Sequence, residues 1–455
     1  MKHVVEEFHR LGLKPRPGQV EAAQILATSM LEAATRERAV FIAPPGFGKT
    51  PTVLVALRVS RTLPATWRVR SYMLAHHISE QCAMCELRPE ILLGREKVCP
   101  LYQRYKHDIH EWCRAARHRC SLFRARTCPY FFFNVEADVF IAHYNRAQLL
   151  PTPVTIWDEA HNLLAAREYC LSMEDVTNAL AEMEDPALRE TLDESFFRTS
   201  STTIEIGADL KEWLYREYLR VLLSRDKPTV LGKLYRLVKH DFIYFEEGRF
   251  CGACISLPRR GLLVSATLPM AHQIAAAVLE IPWQRKLRAF IASHLTTRFD
   301  EFDDKMAERA KAFLLKLHKK YERILVFATQ RVAKRVASIA TLYEPESVPA
   351  DWRGVLLLHT RGRFGEGVDI RADVVVVLGA PYLPPGPNEK LNRAMEQIGI
   401  RNASEITMLN TTLQCVGRAT RTPKDDPLII LADYRFKRYE GELSKYFEFT
   451  EGPEL

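Results

Sequence analysis

The sequence lacks any long hydrophobic run. No stretch reaches the roughly 18 apolar residues that a membrane-spanning helix requires, and residues 1–7 carry acidic side chains without the apolar region of a signal peptide. Internal repeats and low-complexity tracts are also missing. These absences exclude a membrane protein and a repeat protein, and we expect a cytoplasmic globular chain.

A secretory signal is therefore not expected, although the chain has 10 cysteines. In a reducing compartment, clustered cysteines more often bind metal ions or clusters than form a disulfide framework. The length of 455 residues predicts about two to four domains. The net charge of +8 is compatible with a polyanionic partner but does not require one.

A glycine-rich loop follows the first apolar run. Residues 39–43 predict a buried strand, residues 43–50 (APPGFGKT) fit the A/G-x-x-x-x-G-K-[ST] pattern, and residues 52–58 predict a helix. Backbone N–H groups of such a loop surround phosphate oxygens, the lysine reaches the β- and γ-phosphates, and the hydroxyl binds Mg²⁺. The residues expected to contact ATP or its magnesium ion are Pro45, Gly46, Phe47, Gly48, Lys49 and Thr50.

Two acidic residues follow a later strand. Residues 154–157 predict a buried strand, and Asp158 and Glu159 come directly after it. Because α/β sheets bind ligands at the carboxyl ends of their strands, Asp158 is expected to bind Mg²⁺ and Glu159 to deprotonate the attacking water. The alternative is a helix N-cap, which is common by itself. The phosphate-binding loop upstream favours hydrolysis.

A second α/β unit is predicted in the C-terminal part. Its expected strands are residues 324–327, 355–358, 374–378 and 428–432, so both units should contain mostly parallel sheets. Gln414, Arg418 and Arg421 follow one another at helical spacing. Such arginines can stabilise charge on a transferring γ-phosphoryl group when one domain closes on another.

The middle of the chain is less regular. Residues 70–74 predict a second strand of the first unit, and residues 82–128 are basic and cysteine-rich without a clear amphipathic period. Residues 163–239 predict several charged, leucine-rich amphipathic helices.

These motifs occur in the order found in one family. The chain resembles the XPD/DinG group of superfamily 2 helicases, the iron–sulphur helicases. Residues 16–19 are similar to the upstream Gln motif, 43–50 to motif I, 158–162 to motif II, 264–268 to motif III, 362–369 to motif V and 414–421 to motif VI. The resemblance implies two tandem RecA-like domains and an ATP-dependent DNA helicase. Such a motor would act as a monomer on single-stranded and forked duplex DNA with 5′-to-3′ polarity, near the nucleoid.

The resemblance also assigns further residues. Gln19 would contact adenine, and Glu366 and Asp369 of motif V would lie at the nucleotide. Four cysteines would hold a [4Fe–4S] cluster, namely Cys99, Cys113, Cys120 and Cys128, with a Cys₄ zinc site as the alternative. Two C-x₂-C pairs, Cys82/Cys85 and Cys251/Cys254, leave a structural zinc ion open, while Cys170 and Cys415 are interpreted as small core residues.

The resulting domain division has four parts. Residues 1–95, 129–162 and 240–290 form the first motor domain, 96–128 the iron–sulphur insertion, 163–239 a reduced helical arch, and 291–455 the second motor domain. Motif Ia lacks its usual Thr-Arg-Thr, and the arch is short. Two other functions therefore stay open: an ATPase that remodels protein–nucleic-acid complexes without unwinding, and a non-catalytic nucleic-acid-binding subunit.

Overall fold

The structure is a computed structural model, and it describes most of the chain. The described residues are 2–44, 46–146, 150, 152–164, 167–198, 203–240, 242–246, 248–254, 257–283, 285–362, 370–383, 385–396, 399–419 and 425–452. None of the helices within these ranges is long and apolar enough to cross a membrane.

Helices and strands alternate in the N-terminal and the C-terminal parts of the described chain. The α-helices are α1 (Lys2–Arg10), α2 (Gln19–Ile25), α3 (Leu31–Arg36), α4 (Lys49–Ser60), α5 (Tyr72–Met84), α6 (Arg95–Val98), α7 (Tyr102–Tyr105), α8 (Ile109–Ala116), α9 (Ser121–Arg124), α10 (Met173–Glu182), α11 (Pro186–Asp193), α12 (Ala208–Arg225), α13 (Val230–Val238), α14 (Asp304–His318), α15 (Gln330–Val336), α16 (Pro385–Glu396), α17 (Ala403–Gly417) and α18 (Glu440–Leu443).

The strands form three sheets. They are β1 (Arg38–Ile42), β2 (Ala65–Val69), β3 (Pro89–Leu92), β4 (Val139–His143), β5 (Val154–Trp157), β6 (Arg167–Ser172), β7 (Thr203–Ile204), β8 (Phe242–Glu246), β9 (Arg249–Cys254), β10 (Gly261–Ser265), β11 (Ala277–Glu280), β12 (Leu287–Ile291), β13 (Arg323–Ala328), β14 (Leu342–Tyr343), β15 (Gly354–His359), β16 (Val374–Leu378), β17 (Leu428–Ala432) and β18 (Phe447–Phe449).

The first domain contains a seven-stranded parallel sheet of order β11-β1-β10-β5-β2-β4-β3. Its central strands β1 and β10 are short apolar runs buried on both faces, as parallel strands covered by helices must be. All carboxyl ends therefore meet at one edge. The loops after β1, β5 and β10 emerge there, and these loops carry the phosphate-binding, Asp158 and Ser265 segments.

The second domain repeats this arrangement. Its seven-stranded sheet has the order β14-β15-β13-β16-β17-β12-β18, and its strand pairs are parallel. The sequence of β16, VVVVL, is buried at every position. The predicted fold class, two α/β domains with parallel sheets, is confirmed.

One predicted strand of the first domain is wrong. Residues 70 and 71 lead into α5, residues 72–74 are its first turn, and the strand lies earlier, at β2. The prediction missed β2 because this strand contains a charged residue, Arg68. Arg68 is only 3% exposed, and its guanidinium donates to the backbone oxygens of His143 and Arg146 at 3.2 and 2.8 Å.

A third, antiparallel sheet lies in the long insertion between β5 and β10. Its order is β6-β9-β8-β7, and β6 pairs with β9 along its whole length. The insertion is therefore not purely helical, and its sheet continues beyond the predicted boundary at residue 239 to Cys254.

The cysteine-rich segment and this insertion share one hydrophobic core. Tyr105, Ile109 and Trp112 pack with apolar side chains of the insertion, among them Leu214 and Leu234. The segment also contains the helices α6 to α9, which its sequence did not predict. The two predicted insertions thus pack as one body, which we call the insertion module (residues 96–128 and 167–254).

Buried polar groups join the two parts of the insertion module. Asp108, 1% exposed, accepts hydrogen bonds from the Tyr218 hydroxyl at 2.8 Å and from the Thr229 amide at 2.7 Å. Nearer the surface, Asp226 accepts from Arg104 and from the Tyr105 hydroxyl. A carboxylate that satisfies buried donors from distant segments fixes their relative position.

Candidate functional site

The phosphate-binding loop connects β1 to the N-terminus of α4. Gly46 and Gly48 have φ angles of +78° and +86°, in the left-handed region where a side chain is strained. A Cβ atom at Gly48 would also lie 2.5 Å from Nε2 of Gln19. Both glycines are therefore needed for the loop conformation. Pro45, which the sequence also assigns to the nucleotide, lies outside the described residues.

Phe47 faces away from the loop's concave side. Its ring is 8% exposed and packs edge-to-face with Phe41 in the core, with the ring centroids 6.3 Å apart. Its backbone N–H donates to Pro44 O at 3.1 Å. Phe47 therefore anchors the loop to the domain, and its side chain is not placed to touch a nucleotide.

Gln19 packs against the same loop. Its side-chain oxygen accepts from the Arg16 amide at 2.6 Å, and its Nε2 donates to Gly48 O and to the Thr52 hydroxyl, both at 3.2 Å. Because both amide hydrogens are used, Gln19 supports the loop and the first turn of α4. Its predicted contact with adenine stays a prediction.

Lys49 lies at the N-terminus of α4 and points into the domain interface. Its Nζ donates to Ala43 O at 3.1 Å. Burial lowers the pKa of Lys49, while the charges of Glu159 and Asp158 oppose that shift. Lys49 and the two carboxylates therefore face the same space, as the sequence predicts.

Asp158 is held by its neighbours. It is 6% exposed, accepts from Trp67 Nε1 at 3.3 Å, and accepts from the Glu159 amide at 3.0 Å. Burial, and then the charge of Glu159, raise the pKa of Asp158 to about 7. Glu159 has a φ of +49°, a strained backbone conformation that often marks a functional residue.

His161 connects the acidic pair to the strand β10. Its Nδ1 lies 2.9 Å from Ser265 Oγ and 3.3 Å from Glu159 Oε2, and the Ser265 hydroxyl also lies 2.8 Å from Thr267 O. Burial lowers the pKa of His161. Motifs II and III are therefore in direct contact.

The second domain closes one side of this site through α17. Asn410 donates from Nδ2 to His161 O at 3.4 Å across the interface. Gln414 and Arg418 line the cleft between the domains, and Arg418 is 9% exposed. Arg421, Glu366 and Asp369 lie outside the described residues.

The interdomain cleft is a cavity of about 880 Å³. Both domains contribute to its lining, and the predicted site residues among them are Gly46, Gly48, Lys49, Thr50, Asp158, Glu159, Gln414 and Arg418. The helix α5 contributes His77 and Gln81, and Ser71 caps this helix through a hydrogen bond from the Leu74 amide. The arrangement juxtaposes a phosphate-binding loop, a carboxylate pair and an arginine.

The four cysteines assigned to a cluster lie near enough for their charges to interact. Cys113 and Cys128 are buried, and Cys99 and Cys120 are half-buried. Burial raises the pKa values of Cys99 and Cys113, and the thiolate of Cys128 raises both further while Arg95 lowers them. Within the described ranges, no group of three or more His, Cys, Asp or Glu side chains is close enough to hold a single metal ion.

The hypothesis of a zinc ion shared by two C-x₂-C pairs is wrong. Cys82 and Cys85 lie in the core of the first domain. Cys251 lies opposite Cys170 across β9 and β6, with the Cα atoms 4.0 Å apart, and the two form a disulfide. The expectation that Cys170 is a simple core thiol is therefore also wrong.

The basic cysteine-rich segment has a mixed surface. Tyr130 is buried between the guanidinium groups of Arg95 and Arg146, whose carbons lie 3.7 and 4.1 Å from its ring centre. Phe132 is 41% exposed. The exposed cations of residues 96–128 are Lys97, Arg104, Lys106, Arg114, Arg117, Arg119, Arg124 and Arg126.

Some residues at the domain interface were missed by sequence reasoning. Asn410, Trp283 and Tyr446 belong to none of the motifs, and their places depend on how the domains dock.

Comparison with known proteins agrees with this geometry. A family model described as the helicase C-terminal domain matches residues 300–449. A search of curated protein sequences finds no match to the chain.

Solved structures match along nearly the whole chain. An XPD helicase has 19% identity, covers 96% of this chain and 99% of its own, and has a TM-score of 0.61. Xpd4 of S. tokodaii has 16% identity, covers 96% of this chain and 100% of its own, and has a TM-score of 0.62. An apo XPD has 18% identity, coverages of 93% and 99%, and a TM-score of 0.59. This chain has the fold of the XPD helicases, and the predicted resemblance is confirmed.

Proposed function

We propose that this chain is an ATP-dependent DNA helicase that moves along single-stranded DNA and separates duplexes. The observation that carries the proposal is the interdomain cleft. Lys49 and Thr50, the pair Asp158–Glu159, and Gln414 with Arg418 line one cavity although they come from distant parts of the sequence. Hydrolysis can then be coupled to opening and closing of two domains.

The residues of the cleft suit hydrolysis of a γ-phosphate. Lys49 neutralises the β- and γ-phosphates, and Glu159 takes a proton from the attacking water as the new O–P bond forms and ADP leaves. Arg418, approaching from the second domain, stabilises the charge of the transition state. Thr50 and Asp158 would hold Mg²⁺, which supplies further charge neutralisation on the phosphates.

The contacts of His161 provide a route from hydrolysis to movement. This side chain touches Glu159 and Ser265, and its carbonyl oxygen accepts a hydrogen bond from Asn410 of the second domain. A change at the γ-phosphate that moves Glu159 therefore reaches both β10 and α17.

We also propose that Cys99, Cys113, Cys120 and Cys128 bind a [4Fe–4S] cluster. Charges on these thiols are close enough to shift one another's pKa, and soft thiolate sulphur is the preferred ligand of an iron–sulphur cluster. A zinc ion held by the same four thiolates is the alternative. Arg95, whose Nη1 lies 3.3 Å from Cys113 Sγ, would partly neutralise the thiolate charge.

The nucleic-acid partners follow from the same proposal. The exposed cations of residues 97–126 suit DNA phosphates, and the solvent-exposed ring of Phe132 suits base stacking. Forked DNA as substrate, 5′-to-3′ polarity, a monomeric motor and a place at the nucleoid in the cytoplasm rest on the family resemblance.

The decisive experiment measures ATP hydrolysis with single-stranded DNA, duplex DNA and RNA, beside strand separation on a forked duplex. We expect stimulation by single-stranded DNA and unwinding, both lost in Lys49→Ala. Hydrolysis without unwinding would favour a remodelling ATPase, and a biological activity that survives Lys49→Ala would favour a non-catalytic subunit. Brown protein that absorbs near about 400 nm is expected for the cluster, whereas colourless protein with stoichiometric zinc contradicts it.

A further inference from the structure

The longer part of the insertion module is joined to the first domain through one pair of strands. The chain leaves the first domain after Leu164 and enters β6, and it returns through β9 toward β10. The strands β6 and β9 pair antiparallel along their whole length. We call these two strands the neck of the insertion module, because the rest of its longer part lies between them in sequence.

A disulfide cross-links the neck. Cys170 of β6 lies directly opposite Cys251 of β9, and the two form a small cluster of their own with Tyr244 of β8. The bond closes a loop of 81 residues, and cross-links that close long loops restrict the chain most. Cys251 is 4% exposed, whereas Cys170 is half-buried. The sulphur atom of Cys170 is therefore the one that a thiol in solution reaches.

The neck lies between the two motor domains. The helix α16 of the second domain lies against β9. Leu164, just before β6, and Leu257, just after β9, pack in one hydrophobic cluster with Met395 of α16 and Ile406 of α17. A change in the stiffness of the neck therefore acts on the interface that opens and closes around the cleft.

The bond is open to exchange. Among the cysteines that the structure describes, this pair alone forms a disulfide, and the others are free thiols. The proposed place of this chain, the cytoplasm, is a reducing compartment. Disulfides in such a compartment are usually transient and serve catalysis or redox sensing. A half-buried sulphur atom gives exchange a point of entry.

We propose that Cys170 and Cys251 form a reversible redox switch, which stiffens the neck when oxidised and loosens it when reduced. The oxidant is a low-molecular-weight disulfide such as glutathione disulfide. The Cys170 thiolate attacks it and releases one glutathione, and the Cys251 thiolate then displaces the second as the S–S bond of the protein forms. The two protons of the cysteines pass to the two glutathione thiols.

The consequence of the switch for strand separation rests on the proposed function. A stiff neck passes the closing of the two domains on to the insertion module, whereas a loose neck absorbs that displacement. The reduced protein should therefore hydrolyse ATP but separate fewer base pairs for each ATP hydrolysed.

Thiol titration of the full-length protein tests the switch itself. Native protein is equilibrated without oxygen in glutathione buffers, quenched with acid and alkylated after unfolding, and peptide masses give the oxidised fraction of this pair. We expect that fraction to rise from about one tenth to about nine tenths over a roughly 100-fold increase in the ratio [GSSG]/[GSH]², as a two-electron exchange requires. A pair that stays oxidised in excess glutathione, or reduced in excess glutathione disulfide, overturns the inference.

Hydrogen exchange and unwinding measure the consequence. Reduction should accelerate exchange in β6 and β9 about tenfold or more, because the opening of a local unit sets its exchange rate. Exchange in β1 and α4 should stay unchanged. Base pairs separated per ATP should fall while the hydrolysis rate stays within about twofold. Equal exchange rates of the neck in the oxidised and reduced protein overturn the inference.

Cys170→Ala and Cys251→Ala remove the bond and keep the four cysteines assigned to the cluster. Each variant should behave like the reduced wild type at every glutathione ratio. The matched control is Cys82→Ala, which removes a free thiol from the core of the first domain and should keep the full redox response. A redox response that survives in both test variants arises elsewhere and overturns the inference. A wild type whose neck responds to glutathione but that separates no strands overturns the proposed function and supports the switch.

Discussion

The replacement Asp108→Ala tests whether the two insertions form one module. Asp108 lies in the cysteine-rich segment, and its bonding partners Tyr218 and Thr229 lie more than a hundred residues later. The replacement leaves a buried hydroxyl and a buried amide without an acceptor. Each buried donor left without an acceptor costs about 1–3 kcal/mol, so the free energy of local unfolding of the insertion module should fall by about 2–6 kcal/mol.

Hydrogen exchange followed by mass spectrometry measures this loss directly. A loss of about 2 kcal/mol corresponds to roughly 30-fold faster exchange wherever local opening is limiting. We therefore expect at least this acceleration in α12 and α13, far from the mutated residue in sequence. Exchange in β1 and α4 should stay unchanged, because these elements belong to the separate core of the first domain.

Asp226→Ala is the matched control. Asp226 joins the same two segments through Arg104 and Tyr105, but its side chain is 48% exposed. Solvent-exposed ion pairs contribute about 0–1 kcal/mol, so exchange should accelerate less than about fivefold. If Asp108→Ala accelerates exchange only around residues 105–112 and leaves α12 and α13 as in the wild type, the reasoning is refuted.

Three further predictions concern single residues. Ser265→Ala removes the hydroxyl that contacts His161. ATP hydrolysis without DNA should persist, while the ratio of the hydrolysis rates with and without single-stranded DNA should fall. An unchanged ratio contradicts the proposed route from hydrolysis to movement through His161. Gly232→Ala should lower the thermal unfolding midpoint, because the new methyl group would overlap Asp108 and lie 2.9 Å from the Tyr218 ring. This loss is expected although alanine is favoured over glycine in helices by about 1 kcal/mol. A raised midpoint contradicts this packing of α13. Because burial raises the pKa of Asp158 to about 7, protons compete with Mg²⁺ below that pH. The Mg²⁺ concentration for half-maximal hydrolysis should then rise about tenfold per pH unit below about 7 and level off above about 8, and a flat profile between pH 5.5 and 8.5 contradicts this.

The strands that the sequence predicted best are those without internal polar residues. The bounds of β16 and β17 coincide with the predicted residues 374–378 and 428–432. Continuous apolar runs of this length can only be buried, and a parallel sheet covered on both faces buries them fully. The strand β2 escaped prediction because Arg68 interrupts its apolar run, although carbonyl oxygens satisfy this guanidinium inside the fold.

The insertion module was hard to predict for a different reason. The strand β6 is separated from its partner β9 by about eighty residues of sequence, and neither strand carries a turn signal that points to the other. The pairing of Cys170 with Cys251 depends on the register of β6 against β9, so it could not be predicted from the sequence either. Linear motifs predicted the residues expected at the phosphates, whereas Asn410 and Trp283 reach the domain interface only through docking of the two domains.

The chain connectivity joins the insertion module to the first domain next to the interdomain cleft. Its longer part leaves the first domain just after His161 and returns just before β10, the strand that carries Ser265. These two side chains are in contact, with His161 Nδ1 2.9 Å from Ser265 Oγ. Its shorter part enters from between β3 and β4 and packs into the same core. The module is therefore one body that joins the first domain at two places, beside His161 and Ser265 and between β3 and β4, so a force on either of its parts acts on both attachments.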